Sequence, residues 1–240
     1  MKNEQKQVRI RLQISYRYGM MIRGEFMKKL IKQYLLFLIG LFIASMGVAF
    51  STKAGLGTSP VASVPYSVSL VSDVFSFGGW LNLLSVIQIA VQVILLRSRC
   101  KPLEIIIQTV LAFVYGYLTN LSCFIIRDIQ VSSYREQLLY MLLGCVILAF
   151  GIWLQLMGRV AMLPGEAMNR AISEVTGKRY ENIKIAFDIF YIAVSAVICL
   201  VFLGRLEGVR EDSIVAAVAV GSIIKLYGFL YRKIRKKCGV

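Results

Sequence analysis

Residues 54–60 read Ala54-Gly55-Leu56-Gly57-Thr58-Ser59-Pro60, between an apolar run that ends near residue 50 and a weaker one that begins at residue 61. The two glycines free the backbone for a positive φ or a close approach. Thr58 or Ser59 suits a helix cap, and Pro60 suits the first helical position. The stretch predicts a broken helix that presents its N-terminus, which is tolerated at membrane depth only inside protein or beside a wet cavity. The alternative interpretation is an ordinary turn at the membrane surface.

The rest of the composition is that of a membrane protein. Of the 240 residues, 58% are hydrophobic, and the mean hydropathy is +0.69. Several apolar runs approach the length of about 20 residues that spans a bilayer, and they lack the alternation of a β-barrel. We therefore predict an all-α polytopic membrane protein with about six transmembrane helices.

The net charge of +15 is concentrated in the tails, with nine Lys and Arg in residues 1–32 and six in residues 225–237. We interpret both tails as cytoplasmic anchors beside anionic lipid rather than as a nucleic-acid surface. Residues 1–29 form a basic tail, interpreted as disordered or as sequence upstream of the true start. Met1, Met21 and Met27 are the alternative starts.

The chemistry-bearing residue types argue against an enzyme. The five cysteines have no CxxC spacing, and the sequence has no histidine, which disfavours a Cys/His metal site and histidine-based catalysis. Neither an HExxH nor a GxSxG motif is present, and no nucleotide-binding motif is found. We predict no catalytic residue, no metal and no cofactor.

The apolar runs predict a single transmembrane domain at 30–237 with a short non-crossing helix after the first and fourth spans. Lys and Arg are most frequent in segments that this arrangement places inside, so both termini are predicted in the cytoplasm at a bacterial plasma membrane. The predicted spans are 30–50, 80–96, 103–126, 138–157, 185–203 and 213–231, and the short helices lie in 60–77 and 164–176.

The two halves of the chain resemble each other. At an offset of 104 residues, Gly40 falls on Gly144, Gly47 on Gly151 and Pro60 on Pro164. We predict two repeats, about 30–133 and about 134–237, each with three crossings and therefore inverted relative to the other. Inverted repeats with broken helices are common among secondary transporters, which bind solute where the breaks meet.

The run Gly47-Val48-Ala49, followed by residues 54–60, resembles the YczE/YitT-type family of bacterial integral membrane proteins, and the similarity covers residues 30–237. The resemblance implies a multi-span plasma-membrane protein with a role in transport, and it supplies neither a substrate nor site residues. Many of these proteins carry an aromatic–Asp pair after the proline, where this chain has Val61-Ala62.

The two breaks and the polar residues beside them predict a binding site. Two helix N-termini, the hydroxyls, amides and Arg170 suit a small anionic or zwitterionic solute. For Glu166, in the first turn of its helix, the alternative is a cap favoured by the helix dipole. The amides of spans two and three are explained by default through helix–helix hydrogen bonds. The predicted binding residues are Gly55, Gly57, Thr58, Ser59, Glu166, Asn169 and Arg170.

Asp188 is the clearest ionisable residue inside a predicted span, and Lys225 is the next. Such residues are costly and usually face the bundle interior, so we expect them to pair or to carry a coupling ion. A structural ion pair or cap is the alternative for Asp188, and snorkelling to the cytoplasmic surface is the alternative for Lys225.

These features predict a small secondary transporter or exporter of a small polar or anionic solute. The alternative is a non-transport membrane subunit, either a solute-capturing component or an accessory protein of an export or synthesis system. The expected partners are the lipid bilayer and a small molecule of unknown identity, and the sequence is compatible with a homo-oligomer.

Overall fold

A computed structural model describes residues 2–158 and 160–237, with the side chains of residues 27–97, 99–158 and 160–210 and most of those from 213 to 233. All regular structure in this part of the chain is helical. A 3₁₀ turn, Arg97–Arg99, follows the third helix. The helices are α1 Lys2–Ala54, α2 Pro60–Val71, α3 Phe77–Leu96, α4 Pro102–Ile125, α5 Tyr134–Gly158, α6 Pro164–Thr176, α7 Tyr180–Leu203 and α8 Glu211–Lys237.

Five helices of the described chain are long and apolar enough to cross a membrane by length and composition. They are α3, α4, α5, α7 and the Met27–Ala54 part of α1, and α8 adds a shorter apolar stretch, Ala219–Tyr231. Large apolar side chains lie on the outside, such as Ile94 at 68% and Val201 at 70% exposure. A water-soluble protein does not expose so much apolar surface, whereas lipid covers it. The sixth crossing stays a prediction.

The centre of the fold is the antiparallel crossing of α1 and α5. A Cβ built on Gly47 would lie 2.4 Å from the Leu148 nitrogen, and one on Gly151 would lie 2.4 Å from the Ala44 nitrogen. At the same crossing, a Cβ on Gly40 would lie 2.7 Å from the Gly151 carbonyl oxygen. The two backbones therefore touch, as small residues permit in membrane helix pairs.

The short helices α2 and α6 each lie parallel to a long one. Ser63 of α2 is beside Tyr191 of α7, and Ser67 is beside Ser195. Helix α6 follows α3 in the same way, with Gly165 against Gln88 near the middle of α3. Both short helices thus begin near mid-height of a long neighbour and run towards its C-terminal end. Neither is long enough to cross a bilayer.

The break between α1 and α2 has the backbone that its glycines predict. Helix α1 continues to Ala54, beyond the predicted end at residue 50, and it includes residues 2–29. Gly55 has a φ of +69° and Gly57 a φ of +99°, and Pro60 opens α2. Ser59 is at the cap position, but its side chain makes no capping hydrogen bond, so the expected hydroxyl cap is wrong.

Candidate functional site

A cavity of about 940 Å³ lies between the two short helices. Its walls come from α3, α4, α5 and α8 as well as from α1, and most of its lining is apolar. The N-terminus of α2 contributes Ser59 and Pro60, and the N-terminus of α6 contributes Pro164 and Gly165. The two breaks therefore meet at one space inside the helix bundle.

Both helix N-termini reach this cavity without a side-chain cap. Neither Ser59 of α2 nor Leu163 of α6 forms a capping hydrogen bond through its side chain. The first N–H groups of a helix have no partner within the helix, and the helix dipole adds a partial positive charge there. These ends are consequently suited to bind an anionic or strongly polar group.

Three buried amides beside the cavity have an oxygen without a hydrogen-bond partner in the described protein. They are Gln92 Oε1, Gln108 Oε1 and Asn169 Oδ1, on α3, α4 and α6 respectively. The residues are 6%, 6% and 4% exposed, and all three line the cavity. Buried polar atoms are nearly always satisfied, so three unsatisfied acceptors around one space indicate room for a donor from a ligand or water.

Charged side chains surround the end of the cavity where α3 ends and α7 begins. Arg99 lies 3.7 Å from Glu174, and Lys101 lies 3.1 Å from Glu104. All four side chains are more than half exposed and line the cavity, which therefore opens to solvent at this end.

The opposite end is packed shut by buried hydrogen bonds between hydroxyls and backbone. The Ser213 hydroxyl donates to the Thr58 carbonyl over 2.8 Å, and the Ser195 hydroxyl donates to the Ser63 carbonyl over 3.1 Å. The hydroxyls of Ser67 and Ser195 also share a hydrogen bond. These serines are fully buried, so the cavity has an open and a closed end.

Glu166 and Arg170 lie one turn apart on α6 and line the cavity. In the described part of the chain, neither carries an ion pair, and Arg170 Nη1 contacts Met162 Sδ at 3.6 Å. Burial raises the pKa of the Glu166 carboxyl above its ordinary value, and the charge of nearby Lys184 opposes that rise. The site thus has one unpaired carboxyl and one unpaired guanidinium.

Asp188 also lines the cavity, with a different partner from the one expected. Lys184 Nζ, one turn earlier on α7, lies 3.4 Å from Asp188 Oδ2. Lys225 is exposed on α8, and the described residues contain no Asp188–Lys225 ion pair. The predicted pairing is therefore corrected: a lysine on the same helix is close enough, and Lys225 is not.

The other predicted site residues divide into two groups. Ser59 and Asn169 line the cavity together with Glu166 and Arg170. The rest of the break packs against the connection between α7 and α8, because Gly57 pairs with Val209 and the Gly55 carbonyl accepts from Arg210. Thr58 is fully buried, and its Oγ1 has no partner among the described residues.

Three cavity residues were not among the predicted site residues, although each has a signal in the sequence. Gln155 interrupts an apolar run, and its Nε2 donates to the Gly40 carbonyl over 3.2 Å. Tyr115 lies seven residues after Gln108, two turns further along the same face of α4. Lys184 is at helical spacing from Asp188. Of the amides expected to join helices, Gln88 does so, because its Nε2 donates to the Tyr191 hydroxyl over 3.0 Å.

The helices and their cavity define a multi-pass α-helical membrane protein with two short helices that meet at an internal polar site. The chain belongs to a family of unknown function, DUF6198, whose model matches residues 31–228. It is 28% identical over 145 residues to the uncharacterized protein YyaS of Bacillus subtilis (strain 168), covering 60% of this chain and 70% of that protein. No solved structure matches. The resemblance to the YczE/YitT-type family stays a prediction.

Proposed function

We propose that the protein is a small secondary transporter or exporter that binds a small polar solute between the N-termini of α2 and α6. The observation that carries the proposal is the convergence of these two uncapped N-termini on one cavity. Half-helices that end near mid-membrane and direct their positive ends at a solute are a recurring feature of secondary transporters.

Packing between the two halves supports an inverted repeat. Helix α2 of the first half packs on α7 of the second, and α3 packs on α6, so each short helix lies against the other half. The glycines related by the 104-residue offset meet crosswise, since Gly40 contacts Gly151 and Gly47 contacts Gly144. This exchange is the pattern that a two-fold axis in the membrane plane produces. The arrangement thus favours 3+3 inverted repeats.

The open and closed ends of the cavity support alternating access. In such a cycle, the packing between α2 and α7 at the closed end, called the seal, opens while the charged end closes. The solute site stays in place. Coupling to an ion or proton gradient supplies the energy in this proposal, because the sequence contains no nucleotide-binding motif.

The test measures from which side the cavity is reached. In a variant without native cysteines, Ser85→Cys places one thiol on the cavity wall. We expect a membrane-impermeant thiol reagent to label it in intact cells and in inside-out vesicles. A second variant adds Ser67→Cys and Ser195→Cys, whose hydroxyls are in hydrogen-bond contact, to lock the seal with a disulfide. Labelling of Ser85→Cys should then persist from one side only, and a reducing agent should restore the other.

If Ser85→Cys is labelled from one side only before the disulfide forms, and the disulfide changes nothing, alternating access is contradicted. That result would favour the alternative, a membrane subunit that captures solute without transporting it. The orientation has its own test. Cys100, beside the Arg97–Arg99 turn, is expected to be cytoplasmic and to stay unlabelled by the same reagent in intact cells. Labelling of Cys100 from outside would reverse the proposed topology.

A further inference from the structure

The charges that line the cavity leave one acid and one base unpaired. The described lining residues include four acids and four bases. Six of these eight residues form three ion pairs, each with a nitrogen–oxygen distance below 4 Å: Arg99–Glu174, Lys101–Glu104 and Lys184–Asp188. The two that remain are Glu166 and Arg170.

Glu166 and Arg170 are placed to bind two ends of one small molecule. They are four residues apart on α6, so their side chains start on the same face of the helix. They form no ion pair with each other in the described chain, so both charges are available to a ligand. A guanidinium is suited to a carboxylate because it offers two parallel N–H donors.

The charge balance separates the classes of solute. A simple anion would satisfy Arg170 but would meet the carboxylate of Glu166, and a simple cation would meet the guanidinium. The N-terminus of α2 also favours a negative group, because the partial positive charge of the helix dipole is not balanced by an acidic residue in the first turn. A molecule with both charges satisfies Glu166 and the two positive elements at once.

The unsatisfied amides indicate what kind of positive group binds. Gln92, Gln108 and Asn169 each offer an oxygen without a partner, and all three belong to the same cavity as Glu166. A primary ammonium has three N–H donors, so it can bind one carboxylate and two amide oxygens together. A quaternary ammonium has none. The apolar remainder of the wall, which includes Leu81, Ala112 and Ile152, suits an uncharged side chain.

We infer that the solute of this site is a zwitterion with a primary ammonium and a carboxylate, that is, an amino acid with an uncharged side chain. The ammonium binds Glu166 and two of the three amide oxygens, and the carboxylate binds Arg170 and the N-terminus of α2. This inference rests on the proposed solute site, and it goes further by naming the chemical class.

The test is a thermal-shift measurement on the purified full-length protein in detergent. Leucine, glutamine and phenylalanine are compared with two matched analogues of leucine, 4-methylpentanoate without the amine and 3-methylbutylamine without the carboxylate. N,N,N-trimethylleucine tests the need for a primary ammonium. We expect at least one amino acid to raise the melting temperature by about 5–10 °C at a hundred times its Kd. The analogues should bind roughly 10- to 100-fold more weakly.

Two variants make the test independent of a loss of folding. Glu166→Gln should bind 4-methylpentanoate better than leucine, and Arg170→Gln should prefer 3-methylbutylamine, because each variant leaves one charge. Glu181→Gln is the control, because Glu181 is an exposed carboxylate that does not line the cavity, and it should keep the preference for the zwitterion. Stabilisation by 4-methylpentanoate or 3-methylbutylamine alone, or by no probe, would overturn the inference. The two-sided labelling of Ser85→Cys reports alternating access separately, so a failure of the zwitterion inference is distinguishable from a failure of the transport proposal.

Discussion

Gly47→Ala is expected to destabilise the protein, although it adds only one methyl group to a helix. The new Cβ would lie 2.4 Å from the Leu148 nitrogen and 2.6 Å from its Cα. Ordinary contact begins near 3.4 Å, so the methyl group is about 1 Å too close. Both nearest atoms belong to the backbone of α5 and cannot turn aside. The two helices must therefore separate.

The cost follows from the loss of packing along the whole crossing. Overpacking of a close-packed interior costs about 1–3 kcal/mol, because a gap of 0.5–1 Å removes a quarter to a half of each dispersion contact. Alanine brings little compensation from helix propensity, since a membrane span remains helical when the bundle comes apart. We expect the melting temperature to fall by roughly 3–10 °C.

The measurement is the unfolding of purified protein in detergent, by heating and by SDS titration. Gly228→Ala is the matched control, because a Cβ on Gly228 meets no described atom within 4 Å, and it should change the free energy of unfolding by less than about 0.5 kcal/mol. The double variant Gly47→Ala, Gly151→Ala should lose less than the sum of the singles, since helices already separated have room for a second methyl. Equal stability of Gly47→Ala and Gly228→Ala would refute the close crossing.

Three further predictions concern the break and the cavity. Gly57→Asn should cost about 1–3 kcal/mol, because its φ is +99° and a Cβ would lie 2.7 Å from a backbone nitrogen. Gly55→Asn should cost less, because its φ of +69° lies in the region that Asn adopts and its Cβ would meet Gln137 Nε2 at an ordinary 3.8 Å. Equal losses of melting temperature would contradict this difference. A double-mutant cycle of Asp188→Asn and Lys184→Met should give a coupling of roughly 0.2–1 kcal/mol, and zero coupling would remove the ion pair as a stabilising contact. Burial raises the folded-state pKa of Glu166 above its ordinary 4.5, so its stabilising contribution is complete below pH 4.5 and is lost as the pH rises through the folded pKa. Glu166→Gln should therefore have a higher melting temperature than the parent at pH 8 and an equal one at pH 4. A difference that does not change with pH would exclude this titration.

Local features of the chain were readable from the sequence. The prediction of a short helix at 164–176 is confirmed, because Pro164 marks its first turn and Gly177 ends it with a φ of +67°. The prediction that α2 follows a glycine-rich break is also confirmed, because Gly55 and Gly57 have a positive φ and Pro60 opens α2. Such signals depend on the backbone preferences of single residues, so they need no knowledge of neighbouring helices.

The partners of polar side chains across helices could not be derived in this way. Gln88 and Gln92 share one face of α3, as their spacing predicts, yet one is bonded to Tyr191 and the other keeps an unsatisfied oxygen. Asp188 was expected to pair with Lys225 or to carry a coupling ion, whereas the structure places Lys184, one turn away on the same helix, 3.4 Å from it. Which helix faces which residue is set by packing angle and depth, and a single sequence contains neither quantity.

The glycine contact between α1 and α5 gives the bundle a fulcrum. Touching backbones without interlocked side chains resist separation strongly, but they offer little resistance to a change of tilt about the contact point. Ala54 is seven residues beyond Gly47, and Gly158 is seven residues beyond Gly151. Each end thus lies about 10 Å from the contact, and a tilt of about 10° moves it by about 2 Å. Because α1 continues into the break before α2, and α5 leads to α6, each lever arm ends at a short helix. Rocking on these glycine contacts would displace both helix N-termini in opposite directions.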